Sequence, residues 1–322
     1  MKPSVLMTHP RYFAIKGGAN PHTRNADDTL KKVDSGVAIE QWNAYVDVLL
    51  EAGVDVYVAD GNKELTGMVF AANAGFLMDR LERTSSARKR FFPSHFAVEH
   101  RMGETDRFSG FMNDFGVQVS EYPEQWSWEG EADAFPLGRG EDLVWVFTYG
   151  YRSDPEVCDW ISGVMQNEFI SLRLVKPEFY HGDTAITDLG HKCLVYLDAF
   201  DESSQEILKE TLGDRIIEIE EKDAKKFLGN SLYIETEKGR FLFVASGIRK
   251  KTLKEIAKEG IEVIEVDVSE FFGKGGGGPK CMVFHLGYCD PAEAGLTEEQ
   301  SAFRHARHIG SIRKRRGRQA GW

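Results

Sequence analysis

A short pattern that occurs five times constrains the fold more than any other feature of the chain. In each copy a helix-like segment ends in a small or polar residue, and a short strand rich in β-branched residues follows. The copies can be aligned on one position of the strand, which is occupied by Val54, Val117, Ile170, Ile216 and Ile261. The steps between these positions are 63, 53, 46 and 45 residues. Self-similarity on this scale is the sequence signature of repeat or propeller architectures.

Further apolar runs lie between the copies, at residues 143–147, 193–197 and 240–244. Each unit therefore holds a helix and two or three strands. Five α/β units predict a closed ring around a central channel. The alternative is a doubly wound sheet of ordinary βα units, where a helix, a turn and a strand also follow one another. The unequal steps favour that alternative, and the count of five favours the ring.

Composition narrows the class of protein. The 322 residues are 42% hydrophobic and 28% charged, as in ordinary globular proteins. We see no apolar run of membrane-span length and no signal-peptide core at the N-terminus. The four cysteines (Cys158, Cys193, Cys281 and Cys289) have neither pairing nor zinc-site spacing, which predicts a reducing, cytoplasmic setting. A formal net charge of −11 argues against a nucleic-acid-binding protein.

The C-terminal end has the opposite charge. Residues 304–318 contain seven Lys and Arg residues and no acid. We therefore divide the chain into a catalytic domain over residues 1–289 and a basic tail over residues 290–322. The favoured interpretation of the tail is a solvated, partly disordered end that folds back on the acidic body. The alternative is an anchor for a partner subunit or a polyanion.

Cys281 follows four consecutive glycines, Pro279 and Lys280. Glycines let a backbone come close to a ligand where side chains would clash. A lysine beside a thiol favours the thiolate, which is the nucleophilic form. Cys281 is thus a candidate covalent nucleophile. The alternative is a mobile glycine turn before a buried strand with an inert cysteine, and the residues themselves weigh both about evenly.

Two polar clusters add acid–base groups. In His181-Gly182-Asp183 the two side chains share a face if the chain is extended, so a proton-shuttling histidine would lie beside a carboxylate that can hold a cation. The alternative is a capped turn with a surface histidine. Residues 128–135 offer Glu129, Glu131 and Asp133, which suit a cationic substrate. A solvated acidic turn is the alternative there.

Amides and an arginine complete the candidates. Asn73 lies in an apolar, small-residue run, and a buried amide must find partners in the backbone or in a substrate. Asn20 stands in a Gly-Ala-Asn-Pro loop. Arg152 ends a strand-like run and is suited to a bidentate grip on a carboxylate, unless it is a surface residue before the next helix.

In this order, the clusters resemble those of the guanidine-modifying superfamily called penteins, over about residues 4–287. That superfamily includes arginine deiminases, amidinotransferases and dimethylarginine hydrolases. Its fold is a five-fold pseudosymmetric α/β propeller of ββαβ units, which agrees with the five repeats. Its catalytic cysteine after a glycine-rich loop matches Cys281, and its His-x-Asp motif matches His181 and Asp183. Its Glu-Gly-Gly-Asp motif resembles residues 129–133 with one residue inserted.

The resemblance also implies roles for residues. Cys281, His181 and Glu129 would be catalytic. Substrate would be bound by six residues, namely Asp183, Asn73, Asn20, Arg152, Arg101 and Asp133. The asparagine at position 73 looks like that of the cyanobacterial-type arginine dihydrolases, where it accompanies release of two ammonia molecules. Asn20, Asn230 and the run Arg101-Met102-Gly103-Glu104 also resemble that subgroup.

We therefore expect a hydrolase that acts on arginine or a related guanidino compound through a cysteine-bound intermediate. It would need no cofactor and no metal, and its partner would be the small-molecule substrate, without nucleic acid or membrane. Self-association into a homo-oligomer stays open. Amidinotransfer, hydrolysis of methylated arginine and a non-enzymatic binding role on the same fold are the alternatives.

Overall fold

The computed structural model describes residues 1–82 and 89–316. Within these residues there are fifteen strands and nine helices. The strands are β1 (Lys2–Thr8), β2 (Asp55–Ala59), β3 (Gly75–Leu77), β4 (Arg90–Pro93), β5 (Gln118–Val119), β6 (Ala134–Leu137), β7 (Val144–Tyr149), β8 (Phe169–Arg173), β9 (Ile186–Asp188), β10 (Cys193–Val195), β11 (Ile216–Glu218), β12 (Leu232–Thr236), β13 (Gly239–Ala245), β14 (Glu262–Val266) and β15 (Phe284–Cys289). The helices are α1 (Ser35–Glu51), α2 (Glu104–Asp114), α3 (Val157–Met165), α4 (Glu202–Leu212), α5 (Glu221–Ala224), α6 (Lys250–Ala257), α7 (Ser269–Gly275), α8 (Glu298–Arg307) and α9 (Ile309–Arg316).

The strands form five separate sheets of three strands each. Their orders are β15-β1-β2, β3-β4-β5, β6-β7-β8, β9-β10-β11 and β12-β13-β14. In every sheet the middle strand pairs antiparallel with the strand before it and parallel with the strand after it. The parallel step is made through α1, α2, α3, α4 or α6. The five-fold arrangement of ββαβ units is confirmed, and the doubly wound sheet is excluded as the architecture of the described chain.

The recurring pattern has a backbone cause. The small or polar residue after each helix adopts a positive φ, which turns the chain sharply into the third strand of the unit. These residues are Gly53 (φ 92°), Gly116 (84°), Gln166 (51°), Gly213 (53°) and Gly260 (73°). Glycine enters this region without strain, which explains why four of the five copies use it.

The first sheet closes the ring. Its first strand is β15, from the far end of the chain, and it pairs antiparallel with β1 from Lys2↔Cys289 to Leu6↔Phe284. The apolar residues of β1, including Val5, Leu6 and Met7, are buried. Strands distant in sequence therefore meet in one sheet, and the glycine-rich loop before β15 is fixed between units.

Short turns gather at one end of the ring. A 3₁₀ turn precedes the first strand in four units, at Ala71–Ala74, Gly130–Ala132, Gly182–Thr184 and Leu228–Asn230, and residues 280–283 form the corresponding turn before β15. Successive turns touch each other. A Cβ at Gly130 would lie 2.2 Å from the Gly75 carbonyl oxygen, and one at Gly229 would lie 2.4 Å from that of Thr184. Only glycine permits this approach.

The C-terminal helices pack on the first two units. Arg304, in α8, is fully buried and stacks 4.1 Å from the ring centroid of Phe115. Its Nε donates to the Phe115 carbonyl (2.7 Å), and its Nη1 donates to the Asp290 carbonyl and to Glu293 (both 2.9 Å). Farther along, basic residues pair with acids of the body, Arg307 with Asp60 and Arg313 with Asp47. Residues 317–322 of the predicted tail lie outside the described residues.

The buried arginine makes α8 important for stability. Replacing Arg304 by Met keeps most of the volume but removes three hydrogen bonds from a buried site. We expect a loss of about 3 kcal/mol of unfolding free energy, measured by urea denaturation. The matched control is Arg313→Met, whose half-exposed pair with Asp47 should contribute less than about 1 kcal/mol. Equal unfolding midpoints for both variants would contradict a structural role for Arg304.

None of the helices described in residues 1–82 and 89–316 has both the length and the apolar character that crossing a bilayer requires.

Candidate active site

Each turn at this end of the ring presents polar side chains to its neighbours. The turns bring Asn73, Glu129, His181, Asn230 and Cys281 together, although up to about two hundred residues separate them in sequence. All five are at most 2% exposed. The repeat therefore explains the assembly of the site, because every unit delivers a side chain from the equivalent place before its first strand.

Cys281 faces Asp183. Its Sγ lies 3.8 Å from both carboxylate oxygens of Asp183. Asn230 joins the two residues: its Oδ1 accepts from the backbone N–H groups of Cys281 (3.2 Å) and Gly278 (2.8 Å), while its Nδ2 donates to the Asp183 carbonyl (2.8 Å). Asn230 was noted in the sequence only for its subgroup resemblance. Its position in the turn, equivalent to Asn73 three units earlier, is the signal that would have identified its role.

The ionisation of the thiol depends on opposing effects. Burial and the neighbouring Asp183 raise the pKa of Cys281 well above its ordinary value, and Lys280 opposes this only in part. The Lys280 ammonium lies 2.6 Å from Glu131. Lys280 thus favours the thiolate, as its place beside Cys281 predicts, but burial outweighs this one nearby cation.

His181 is oriented by Glu129. Its Nε2 lies 2.9 Å from Glu129 Oε2 and 3.5 Å from Asn73 Nδ2, whereas its Nδ1 is buried without a hydrogen-bond partner in the described part of the chain. With the Nε2 proton directed to Glu129, Nδ1 is the nitrogen that can accept a proton. The expectation of an extended His-x-Asp segment was wrong, because residues 182–184 form a 3₁₀ turn. His181 is buried, so the surface-histidine alternative is also excluded.

The acidic turn is buried rather than solvated. Glu129, Glu131 and Asp133 are at most 1% exposed. Burial alone would raise the pKa of Glu129, but the Arg152 guanidinium 3.2 Å away and the hydrogen bond with His181 hold it well below its usual range. Glu129 is thus a fixed anion that can stabilise a protonated His181.

Asp133 supports the site from behind. Its oxygens accept from Thr148 Oγ1 (2.6 Å), Ser153 Oγ (2.7 Å) and the Gly182 N–H (3.1 Å). It lines neither cavity of the site. Asp133 therefore ties the Gly182–Thr184 turn to Thr148 and Ser153, and its predicted contact with substrate stays a prediction.

A cavity of about 50 Å³ opens in front of the thiol. The polar and aromatic groups that line it include Asn20, Asn73, Arg101, Arg152, Tyr180 and Cys281.

Arg101 and Arg152 are held firmly in this cavity. Arg101 donates to Glu104 through Nε (2.9 Å) and Nη2 (2.7 Å), and to Asn73 Oδ1 through Nη1 (2.9 Å). Arg152 donates to Glu129 and to the Ala19 carbonyl (2.9 Å), and it stacks on Tyr180. Arg152 is buried, so the surface alternative was wrong.

Asn20 and Tyr180 fix the loops around the cavity. Asn20 Oδ1 caps the turn at Pro21–Thr23, and its Nδ2 donates to the Gly275 carbonyl (3.1 Å). Tyr180 donates its hydroxyl proton to the Gly276 carbonyl (2.9 Å). Tyr180 was not predicted, and its place beside His181 was the only sequence signal for it.

A second cavity of about 270 Å³ lies on the strand side of the turns, inside the ring. It is lined by residues of β6, β9, β12 and β15 and also by Arg80, Asp183 and Lys280. Asp183 therefore separates this larger space from the thiol. In the residues that the structure describes, no group of three His, Cys, Asp or Glu side chains has the geometry of a metal site.

The buried Asp183 should make stability depend on pH. Burial, followed by smaller opposing effects of Lys280 and His181, raises its pKa from 3.8 to about 6. Because the folded pKa exceeds the unfolded one, stability is present below 3.8 and is lost as pH rises through about 6. We expect Asp183→Asn to be more stable than wild type at neutral pH by about 3 kcal/mol, with no difference below the unfolded pKa. Urea midpoints across pH test this, and a variant less stable at neutral pH would contradict it.

Comparison with known proteins agrees with this geometry. A family model described as N,N dimethylarginine dimethylhydrolase, eukaryotic, matches residues 9–287. The bifunctional arginine dihydrolase/ornithine cyclodeaminase ArgZ of Synechocystis sp. is 28% identical over 285 residues, which are 88% of this chain. The chain spans 37% of the length of that relative. The N(G),N(G)-dimethylarginine dimethylaminohydrolase of Mycobacterium tuberculosis is 28% identical, covering 87% of this chain and 84% of its own.

A solved structure shows the same fold. The N-terminal domain of ArgZ, a cyanobacterial arginine dihydrolase studied in complex with its substrate, superposes with a TM-score of 0.77 at 26% identity. The match covers 88% of this chain and 98% of that domain. The overall fold of this chain is therefore shared with that domain.

Proposed function

The chain belongs to the N,N dimethylarginine dimethylhydrolase family, within the pentein superfamily, and we propose that it hydrolyses the guanidino group of arginine through a covalent intermediate on Cys281. The observation that carries the proposal is the convergence of Cys281, Asp183, His181 and Glu129 on one buried spot. A thiol, a carboxylate and an oriented histidine are the groups that attack on a cationic carbon requires.

The positive charge of the substrate would favour the ionised forms of Cys281 and Asp183. A guanidinium beside Cys281 and Asp183 would favour the ionised form of both, because an opposite charge lowers the pKa of a carboxyl or thiol. It would thereby offset the burial that raises both pKa values. The thiolate would form when the substrate binds, so Cys281 would be active as a nucleophile only with a cation bound.

The other end of arginine is an α-carboxylate. Arg152 would give up its hydrogen bond to Glu129 and donate to that carboxylate instead. Arg101 lies in the same cavity and would donate to the carboxylate as well. Asn20, Ala19 and Thr23 line one side of the cavity and would border the bound substrate.

In the reaction, the Cys281 thiolate would form a bond to the guanidinium carbon. His181 would protonate the departing nitrogen as the C–N bond breaks and ammonia leaves. Water would then attack the same carbon and give a proton to His181, and cleavage of the C–S bond would release citrulline and the thiolate. In a second cycle, with Asn73 holding the ureido group, citrulline and water would give ornithine, carbon dioxide and a second ammonia.

The test is the amount of ammonia released for each arginine consumed, with identification of the amino-acid product. Two ammonia molecules with ornithine would support the dihydrolase reaction, and one with citrulline would restrict the activity to deimination. Adding glycine or ornithine as an acceptor separates amidinotransfer, which would yield a new guanidino compound. Absence of turnover in every assay would favour a binding role on this fold.

Hydrolysis of dimethylarginine is a second candidate, because the matching family is described by that activity. It predicts release of dimethylamine instead of ammonia. Asp183 and Asn230, which contact Cys281, are polar. That polarity favours an unmethylated guanidinium, since methyl groups there would displace hydrogen bonds.

A reducing, cytoplasmic location remains a prediction, supported by four cysteines that form no disulfide. Self-association is likewise a prediction, which light scattering of the purified chain would test.

A further inference from the structure

Glu131 is a buried carboxylate that the proposed reaction leaves without a role. It is fully buried, and it accepts hydrogen bonds from Lys280 Nζ (2.6 Å), from His285 Nδ1 (3.0 Å) and from Arg80. Burial disfavours the charged form, but these partners, Lys280 first, hold the pKa of Glu131 well below its usual range. Glu131 is therefore an anion that accepts hydrogen bonds from three basic side chains at one point of the ring.

Two of these partners lie on either side of the nucleophile. Lys280 precedes Cys281 directly, and His285 is the second residue of the strand that follows it. The His285 backbone N–H also donates to Glu131 (3.2 Å). The intervening turn is closed by the Val283 N–H, which donates to the Lys280 carbonyl (3.0 Å). One carboxylate from the third unit thus holds both ends of the turn that carries Cys281.

We propose that Glu131 is a positioning residue for Cys281, which acts by holding the Lys280 ammonium and the 280–285 turn in place; this rests on the proposed cysteine chemistry. The residue lies in the run 129–133, which is one residue longer than the family motif that it resembles.

Lys280 matters because of the charges around the thiol. Asp183, on the turn before β9, disfavours the thiolate, whereas Lys280 and, more weakly, Arg101 before α2 favour it. Tyr180 also faces the thiol. Lys280 borders the cavity of about 270 Å³ together with Arg80 and His285. Without the Glu131 charge, the ammonium has room to turn into that cavity and away from the thiol.

The experiment follows the ionisation of Cys281 directly. In Glu131→Gln, alkylation of Cys281 by iodoacetamide is measured against pH by peptide mass spectrometry. We expect the pH midpoint of this alkylation profile to rise, because the Lys280 ammonium would move away from the thiol. A simple charge effect would have the opposite sign, since removal of a nearby carboxylate makes a thiolate easier to form. With arginine as substrate, kcat should fall about 30-fold through misplacement of the thiol, while KM changes little.

Two more variants make the test decisive. Lys280→Gln should raise the midpoint to a similar extent, and the double variant should show no further rise, because both changes remove one interaction. Lys280→Gln leaves Glu131 paired with Arg80 and His285, so it keeps the proposal testable if Glu131→Gln does not fold. The matched control is Asp223→Asn, a buried carboxylate paired with Arg249 outside both cavities. It should lose stability without moving the midpoint.

A falling or unchanged midpoint in Glu131→Gln would overturn the proposal, as would additive effects in the double variant or an equal rise in the control. The alkylation profile does not require turnover. If wild type consumes no guanidino compound, the proposed function fails, yet the midpoints still decide whether Glu131 positions Cys281.

Discussion

Replacing Cys281 by alanine should abolish ammonia release from arginine, with a loss of at least about 10⁴-fold in kcat. Among the described residues, Cys281 is the cysteine whose sulfur contacts the Asp183 carboxylate. The other three cysteines lie in strands or helices outside the turns. The alanine leaves the backbone bond to Asn230 intact, so the fold should persist. Steady-state ammonia assays with the purified variant check this.

The matched control is Cys193→Ala. Cys193 is buried in β10, and burial raises its pKa to about 12, so it is an inert thiol. We expect its kcat to stay within about twofold of wild type while stability falls by the cost of a small cavity. If Cys281→Ala still turns arginine over, the covalent mechanism is wrong. If Cys193→Ala also loses turnover, the loss in Cys281→Ala would reflect damage to the fold and not the missing nucleophile.

The second large effect is expected from Glu129→Gln. The glutamine has the same shape but no charge, so it cannot stabilise an imidazolium at His181 Nε2, 2.9 Å away. Loss of a carboxylate that orients a catalytic histidine lowers kcat by about 10⁴-fold in serine proteases, and we expect about 10³-fold or more here. The Arg152 guanidinium would also lose its buried partner, so stability should drop as well.

Stability and catalysis must be separated in this variant. Circular dichroism and the alkylation rate of Cys281 report whether the site remains assembled. A folded Glu129→Gln that retains more than about a tenth of wild-type kcat would show that His181 does not depend on Glu129.

The fold was predictable because its cause is local and repeated. Five helices end in a residue that turns the chain, and the sequence shows that residue and the β-branched strand after it. The convergence of Asn73, Glu129, His181 and Cys281 was predictable for the same reason, since each stands shortly before the first strand of a unit. Asn230 occupies the equivalent place in the fifth unit.

Ionisation was not predictable, because it is set by residues from other units. The spacing showed Lys280 beside Cys281 but not Glu131 and Asp183, which the ring brings to the same place from the third and fourth units. The burial of the acidic run was left open for the same reason. An acidic run such as residues 129–133 reads as solvated unless the arginine, lysine and histidine that pair with it are known.

Closure of the ring by β15 has a consequence for protein synthesis. Because β1 spans Lys2–Thr8 and β15 spans Phe284–Cys289, the ribosome makes β1 long before its antiparallel partner. Pairing across so long a separation is a slow step in folding. Until β15 has paired with β1, the turn that carries the proposed nucleophile Cys281 is not held in the ring. A product truncated before β15 would therefore lack an assembled candidate site.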